Sequence, residues 1–229
     1  MPALTRQLVP ERLDQLPATD PVAIQSRRDL RRINWFMDNA ALIARACRDA
    51  WRGAPPQRLV DLGAGDGALI VALENRLGQH WPQITVTLVD QAALASVPTA
   101  DGWRTERVCA DATAWLTRQS AATVDVVIAN LFLHHFAEAQ LQALLAGCAR
   151  MTRLFVACEP RRSRRALGAC GLLGLIGCNH VTRHDARASV RAGFAGRELS
   201  ALWPDSTRWE LQERAAGPFS HLFVARRQT

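Results

Sequence analysis

The chain has 229 residues, of which 48% are hydrophobic, enough for the core of one α/β domain. No uninterrupted apolar stretch reaches the roughly 18 residues that a membrane span needs, so no transmembrane helix is predicted. The formal net charge is +7, yet all 28 basic residues are Arg, spread along the chain, which is typical of a GC-rich genome. We therefore expect no nucleic-acid partner.

The N-terminus and the cysteines indicate the compartment. The first residues are polar and lack the apolar core of a signal peptide, so a cytoplasmic protein is expected. The cysteines form no C-x-x-C pair and no Cys/His cluster with zinc spacing, so no metal site is predicted. They are predicted to be buried free thiols in a reducing compartment.

Residues 1–54 are predicted to form an N-terminal helical cap. The polar, Pro-rich residues 1–22 favour a loose arm with at most a short helix. A helix is predicted over residues 21–52, where a Pro suits the first helical position and apolar residues keep helical spacing. Trp35 and Phe36 in this helix either line the substrate side of a cofactor site or simply pack on the sheet.

The most informative stretch is an apolar segment, residues 58–62, followed by Gly63, Gly65 and Gly67 and by a helix with apolar periodicity. A strand, a glycine turn and a helix in that order predict a nucleotide-binding turn, because Gly lets a ligand approach the backbone. The spacing G-x-G-x-G is not the G-x-G-x-x-G of dinucleotide sites. Asp61, just before the turn, would repel a pyrophosphate and attract a cationic cofactor. The alternative is a glycine turn without a ligand.

This segment resembles the first motif of the class I S-adenosylmethionine (SAM)-dependent methyltransferases, in which an acidic residue precedes a G-x-G-x-G turn. The resemblance implies SAM as the cofactor. It also implies an α/β fold: a Rossmann-like, doubly wound, seven-stranded sheet with an antiparallel last strand, plus N-terminal helices. Residues 55–229 would form the SAM-binding methyltransferase domain. Strands are predicted at residues 58–62, 84–90, 107–110, 122–129, 153–158, 209–214 and 219–226.

Polar residues end the next three predicted strands. Asp90 ends the second strand, where a carboxylate suits hydrogen bonding to two ribose hydroxyls. Asp111 follows the third strand, at the family position that reads the adenine amino group, and the Ala112 N–H would pair with a ring nitrogen. A short helix and a loop are predicted within residues 91–107. Together the cofactor-binding candidates are Asp61, Gly63, Ala64, Gly65, Asp90, Gln91, Asp111, Ala112, Asn130 and Leu131.

The fourth strand leads into residues 130–136, Asn-Leu-Phe-Leu-His-His-Phe. This segment lacks the Pro-Pro of nucleobase amino-methyltransferases and is similar to small-molecule methyltransferases, including those of quinone biosynthesis. An oxygen acceptor benefits from a positioned base, most often His, so the catalytic candidates are His134, His135 and His184. Each has the alternative of a structural or exposed histidine. His184 precedes Asp185, which is predicted to cap the helix that follows it.

Residues 161–178 are the least generic segment, with an Arg-rich start followed mostly by Ala, Gly, Leu and Cys. The apolar part is too short to span a bilayer. Three interpretations stay open: a lid over a hydrophobic substrate, formed by an insert at about residues 160–185, a basic-flanked patch that gives peripheral membrane contact, or ordinary core. The substrate-binding candidates are Trp35, Phe36, His135, Arg161, His180 and His184.

Three segments also resemble bacterial methyltransferases associated with polyketide synthases that make phenolic lipids: residues 31–34, His184-Asp185 and residues 189–194. This resemblance implies an enzyme of secondary metabolism with a small aromatic substrate. A monomer or homodimer is expected. The enzyme would transfer a methyl group from SAM to a hydroxyl of a hydrophobic phenolic or quinol-type acceptor. The alternatives are C- or N-methylation of another small metabolite, an RNA methyltransferase, and a SAM-binding protein without catalysis.

Overall fold

The computed structural model describes residues 4–17, 19–92 and 102–228 of the chain. Its strands are β1 (Arg58–Leu62), β2 (Thr85–Asp90), β3 (Arg104–Cys109), β4 (Val124–Asn130), β5 (Thr152–Pro160), β6 (Trp209–Ala216) and β7 (Ser220–Arg227). They form one seven-stranded sheet in the order β3-β2-β1-β4-β5-β7-β6. β7 runs antiparallel to both of its neighbours, whereas β3, β2, β1, β4 and β5 are parallel. The predicted Rossmann-like sheet with an antiparallel last strand is confirmed.

The helices are α1 (Pro21–Met37), α2 (Asn39–Ala50), α3 (Ala68–Leu77), α4 (Ala112–Thr117), α5 (Glu138–Met151), α6 (Arg164–Leu172), α7 (His180–Ala192) and α8 (Glu198–Leu202). Within the described ranges, none of them is long and apolar enough to cross a membrane. Ile43 of α2 and Leu73 of α3 share one buried cluster with Val126, while Leu144 of α5 shares another with Val127. The apolar run of β4 is therefore buried on both faces, as in other parallel sheets.

The single helix predicted over residues 21–52 is wrong in one respect, because the chain breaks it at Asp38. The φ of Asp38 is 43°, in the left-handed region, and its N–H donates to the Asn34 carbonyl oxygen at 3.1 Å to close α1. Its carboxylate accepts a hydrogen bond from the Ala41 N–H at 3.3 Å and so caps α2. This turn places Asn39 at the first position of α2, where it is buried.

Helix α7 begins earlier than predicted, at His180. The Asn179 side chain accepts a hydrogen bond from the Thr182 N–H at 2.9 Å, which caps the helix there. Asp185 consequently lies inside α7, and the prediction that it caps a helix is wrong. Its carboxylate satisfies backbone N–H groups of another segment, the N-terminal arm.

Residues 4–17 form this N-terminal arm, which lies across α7 and the segment after β4. The Arg6 guanidinium donates hydrogen bonds to carbonyl oxygens at the end of α7 and after β4, at 2.7 and 3.0 Å. The Asp185 carboxylate accepts from the backbone N–H groups of Arg12 and Leu13, both at 2.9 Å. Because the arm contains just one short 3-10 helix, its position depends on these contacts.

Strand β3 is longer at its start than predicted and begins at Arg104, paired with β2 along its length. The short helix predicted within residues 91–107 falls mostly on residues 93–101, which lie outside the described residues. All the cysteines are free, and they are buried as predicted except for Cys109 in β3, which is exposed.

Candidate active site

The glycine turn after β1 lies at the carboxyl edge of the sheet. Gly63 and Gly65 have φ values of 71° and 55°, in the left-handed region that Gly adopts without strain. A Cβ at Gly63 would lie 2.2 Å from Cδ2 of Phe132, so a side chain has no space there. A Cβ at Gly65 would meet no atom of the described residues within 4 Å. The turn therefore faces open space at Gly65, where a ligand can approach the backbone.

Asp90 connects the end of β2 to this turn. Its Oδ2 accepts a hydrogen bond from the Gly65 N–H and its Oδ1 accepts one from the loop that follows, both at 2.8 Å. The N–H groups of Gly63 and Ala64 donate to the carbonyl oxygen of Val89, at 2.9 and 3.3 Å. Because each carboxylate oxygen has two lone pairs, Asp90 keeps acceptor capacity for a pair of ligand hydroxyls.

Asp111 extends the same edge to β3. Its Oδ1 accepts from the Ala114 N–H at 2.8 Å and caps α4, and its Oδ2 accepts from Nε2 of Gln91 at 2.9 Å. Ala112 is buried at the first position of α4, where a helix leaves its N–H without an intrahelical partner. The predicted cofactor candidates on β1, β2 and β3 are thus brought together.

Asp61 is a buried carboxyl group beside the turn. Its residue is 1% exposed, and among the described residues no group donates to its Oδ2. Burial, and secondly the charge of Asp90, raise the pKa of Asp61 from 3.8 to about 8. A buried carboxylate is costly unless a cation compensates it, so this site suits a positively charged ligand group. The ammonium of an amino-acid cofactor such as SAM fits that requirement.

We expect Asp61→Asn to stabilise the ligand-free protein at pH 8 by about 2 kcal/mol and to weaken SAM binding by about 10–100-fold. The raised pKa means that the folded state favours the protonated carboxyl, so stability is lost as the pH rises from about 4 to about 8. Asn has no ionisable group, so the variant should lack this pH dependence. Urea unfolding at pH 5 and pH 8 measures the stability difference, and calorimetry measures the affinity.

The control for that substitution is Asp66→Asn, which removes a charge from an exposed position of the same turn. It should change neither the pH dependence of unfolding nor the affinity by more than about two-fold. Equal stability of Asp61→Asn and the parent at pH 8 would contradict the assigned role of Asp61.

A pair of asparagines closes the edge beyond β4. Asn39 donates from Nδ2 to Oδ1 of Asn130 at 2.9 Å and accepts from Oγ of Ser220 at 2.8 Å. Asn130 is followed by Leu131 with a φ of 52°, and Asn39 is preceded by Asp38, which is also left-handed. Such backbone outliers in residues with side chains concentrate at functional sites. The sequence reasoning missed Asn39, although the Asp38-Asn39 pair, typical of turns and caps, was a signal.

His134 is held between two carboxylates. Its Nδ1 lies 2.8 Å from Glu159 Oε2, and its Nε2 lies 3.7 Å from Glu11 Oε1. Burial acts to lower the pKa of His134, but the interactions of the ring with the Glu11 and Glu159 carboxylates outweigh it and raise the pKa to about 9. The ring is therefore protonated at neutral pH. This geometry favours a positioning role over that of a base, and the sequence reasoning missed both carboxylates.

His135 differs from its neighbour. It is exposed, and its ring stacks on that of His134 with centroids 4.1 Å apart. Desolvation of the ring, and then the positive charge of His134, lower the pKa of His135. It is neutral at pH 7, as a general base requires. Glu11, His134 and His135 also bring potential metal-ligand atoms within 4.8 Å of one another, but the proton on His134 already compensates the carboxylates.

The remaining candidates lie elsewhere. Nδ1 of His184 is 2.9 Å from Oδ1 of Asp185, and His184 and His180 line a pocket on α7 that includes no cofactor candidate. The Arg161 guanidinium donates to the carbonyl oxygen of Gly217 at 3.0 Å. Trp35 and Phe36, by contrast, are exposed at the end of α1. The α7 pocket is lined by His180 and His184 but not by the two histidines after β4.

Residues 59–154 match the family model of a methyltransferase domain. No curated protein matches the chain. The plantazolicin methyltransferase BpumL, solved in complex with SAH, is similar with a TM-score of 0.65 and 14% identity over 94% of both chains. An O-methyltransferase family protein from Burkholderia thailandensis gives a TM-score of 0.59 and 14% identity over 93% of this chain and 61% of its own. The mitomycin 7-O-methyltransferase MmcR gives a TM-score of 0.59 and 17% identity over 93% of this chain and 60% of its own.

The matched residues run from β1 to the start of β5 and contain the glycine turn, Asp90 and Asp111. The prediction of a class I SAM-dependent methyltransferase fold is confirmed, and the family match supports SAM as the cofactor. This chain spans about 60% of the length of the two proteins described as O-methyltransferases.

Proposed function

We propose that this chain, which carries a methyltransferase domain over residues 59–154, is a SAM-dependent O-methyltransferase. Its acceptor would be a hydroxyl of a small hydrophobic phenolic or quinol-type molecule. The observation that carries the proposal is the edge formed by Gly65, Asp90 and Asp111 beside Asp61, whose buried Oδ2 has no hydrogen-bond partner among the described residues. This edge combines an open glycine turn, carboxylate oxygens that can accept hydrogen bonds from a ribose, and a buried carboxyl group whose negative charge can compensate a cation.

SAM supplies an activated methyl group, so the protein has to bind and orient the two reactants and exclude water. In this proposal Asp90 accepts hydrogen bonds from ribose hydroxyls, and Asp111 and the Ala112 N–H bind the adenine. Asp61 compensates the ammonium group. Phe132, whose ring leaves no room for a side chain at Gly63, fixes the width of the site.

A hydrophobic acceptor is supported by exposed apolar side chains on two neighbouring segments. Trp35 and Phe36 at the end of α1 are 83% and 73% exposed, and Leu175 after α6 is 83% exposed. Arg32 of α1 donates from Nη2 to the carbonyl oxygen of Ile176 at 3.0 Å, so the two segments adjoin. Clustered apolar side chains in contact with water are typical of binding surfaces. We assign them to the acceptor, with the segment after α6 as its lid.

The functional test is transfer of a labelled methyl group from SAM to a panel of alkyl phenols, with their methyl ethers and the matching anilines alongside. O-methylation predicts labelled product from the phenols and none from the methyl ethers, which lack a free hydroxyl. Mass spectrometry locates the label. A label found on nitrogen or ring carbon would support the alternative of N- or C-methylation and contradict the proposal.

We expect His135→Ala to lower turnover of a phenol by about 100-fold, because the variant lacks the base that takes the hydroxyl proton. SAM affinity should change by less than about two-fold. In the parent, turnover should rise with pH through a pKa below the ordinary 6.5 of His and stay level above it. Steady-state rates between pH 5 and 9 measure both effects.

Two further variants make that result specific. His80→Ala removes an exposed histidine after α3 and should leave turnover unchanged. If His184→Ala loses activity and His135→Ala does not, the base belongs to α7. If every variant turned over at the parental rate, neither His135 nor His184 would act as the base.

The sequence predictions of a cytoplasmic protein of secondary metabolism, monomeric or homodimeric, form part of the same proposal. So does peripheral membrane contact through the segment after β5. Its support is the proximity of exposed Leu172 and Leu175 to arginine, since the Arg183 guanidinium borders Gly174 between them.

A further inference from the structure

A pocket lies on α7, and none of the cofactor-binding candidates lines it. It has a volume of about 550 Å³ and is lined by Arg12, His180, Arg183, His184, Arg187 and Arg191. All but Arg12 come from α7, where a spacing of three or four residues puts side chains on one face. Arg12 reaches the pocket from the N-terminal arm, whose backbone is fixed to α7 by Asp185.

The charge of this pocket is uncompensated. In the described part of the chain, none of its four arginines forms an ion pair with a carboxylate. The adjacent Asp185 is buried, and its oxygens already accept from the backbone of Arg12 and Leu13 and contact His184. Among the described residues, Nε of Arg183 is buried without any hydrogen-bond partner. The converging like charges favour the binding of an anion in this pocket.

A phosphate group has the complementary chemistry. It carries about one negative charge as a diester and up to about two as a monoester, together with acceptor oxygens that the planar guanidinium fork binds in pairs. The cavity volume falls within the roughly 300–1,000 Å³ of small-molecule sites. We propose that this pocket, which we call the α7 arginine pocket, binds a phosphate group, either free or on a larger molecule. None of its residues belongs to the cofactor edge, whereas His180 and His184 are also candidates for binding the methyl acceptor.

The proposal is tested by calorimetry with inorganic phosphate at low salt and by sedimentation with vesicles of phosphatidylglycerol, with phosphatidylcholine vesicles for comparison. The double variant Arg183→Gln/Arg187→Gln should bind phosphate at least about ten-fold more weakly than the parent. The matched control is Arg118→Gln/Arg197→Gln, which removes two exposed arginines outside the pocket and should bind within about two-fold of the parent. SAM affinity should be equal in all three proteins.

The two probes distinguish the source of the phosphate. Binding of inorganic phosphate that depends on the pocket arginines supports a small phosphorylated ligand. Binding of phosphatidylglycerol vesicles alone, with the same dependence, supports a lipid headgroup. If neither probe binds, or if binding is unchanged in the pocket variant, the proposal is overturned. Arg12→Gln, on the arm, provides a second pocket variant should the α7 variant fail to fold.

Discussion

Gly65→Arg is expected to lower the affinity for SAM by more than about 100-fold, close to 3 kcal/mol, without unfolding the protein. The φ of Gly65 is 55°, and an added Cβ would meet no atom within 4 Å in the described part of the chain, so an Arg side chain would extend into the space that the cofactor needs. The left-handed backbone adds about 1–2 kcal/mol of strain for a residue with a side chain. Calorimetric titration with SAM measures the affinity, and thermal unfolding followed by circular dichroism measures the fold.

Gly196→Arg is the matched control. Gly196 has a φ of 64°, and no atom of the described residues lies within 4 Å of an added Cβ, but Gly196 lies in the exposed loop between α7 and α8. Its substitution introduces the same strain and the same charge far along the chain from the turn. It should lower the thermal stability as much as Gly65→Arg and leave SAM affinity unchanged. If both variants lost SAM equally, strain or charge would explain the effect and the cofactor assignment would fall.

The cofactor edge could be predicted from the sequence because each of its signals is local. A buried strand before the glycines and a carboxylate after each of the next two strands are short patterns. Parallel strands bring their carboxyl ends to one edge, so Gly65, Asp90 and Asp111 converge without any knowledge of long-range contacts. The structure adds how they are joined, through the hydrogen bond from Gly65 to Asp90 and the one from Gln91 to Asp111.

Contacts between distant segments could not be predicted in this way. Asn39 and Asn130 are 91 residues apart, and an Asn within an apolar helical pattern looks the same whether or not a partner is present. The start of α7 was missed for a similar reason. Asp185 has the residue type of a cap, but Asn179 performs that role while Asp185 binds the arm. Residue type alone does not decide between two candidates on one segment.

The two adjacent histidines illustrate the same limit in chemistry. The pattern Leu-His-His-Phe treats His134 and His135 alike, yet their pKa values shift in opposite directions. The difference arises because His134 lies against Glu159 and Glu11, which raise its pKa, whereas desolvation and then the charge of His134 lower the pKa of His135. The proton on the first ring therefore adds to the desolvation that favours the neutral form of the second ring.

Glu159→Gln is expected to lower the free energy of unfolding by about 3–5 kcal/mol, because it leaves a buried charge without its partner. Glu159 is fully buried and accepts hydrogen bonds from the N–H groups of Phe132, Leu133 and His134 at 3.0, 2.8 and 3.3 Å. It also pairs with Nδ1 of His134 at 2.8 Å. Glutamine keeps the shape and one oxygen, but its amide nitrogen would face donors. Urea unfolding of parent and variant measures the difference.

The difference in the free energy of unfolding between the parent and Glu159→Gln should become smaller as the pH rises. The folded state raises the pKa of His134 from 6.5 to about 9, so the stabilisation of the protonated ring is complete below about pH 6.5 and disappears as the pH passes about 9. Parent and variant should therefore differ most at pH 6.5 and less at pH 9.5. Glu210→Gln breaks the more exposed pair with Arg226 and should cost less than about 1 kcal/mol, with no such trend.

Glu159→Gln should also weaken cofactor binding. Oε1 of Glu159 holds the backbone of Phe132 and Leu133, and the Phe132 ring occupies the space beside Gly63. When the amide replaces this acceptor, the segment after β4 is expected to shift and SAM affinity to fall by about ten-fold, even well below the unfolding temperature. A loss of stability with unchanged affinity would contradict this coupling. It would mean that the ring of Phe132 keeps its place through packing, and that Glu159 supports the fold alone.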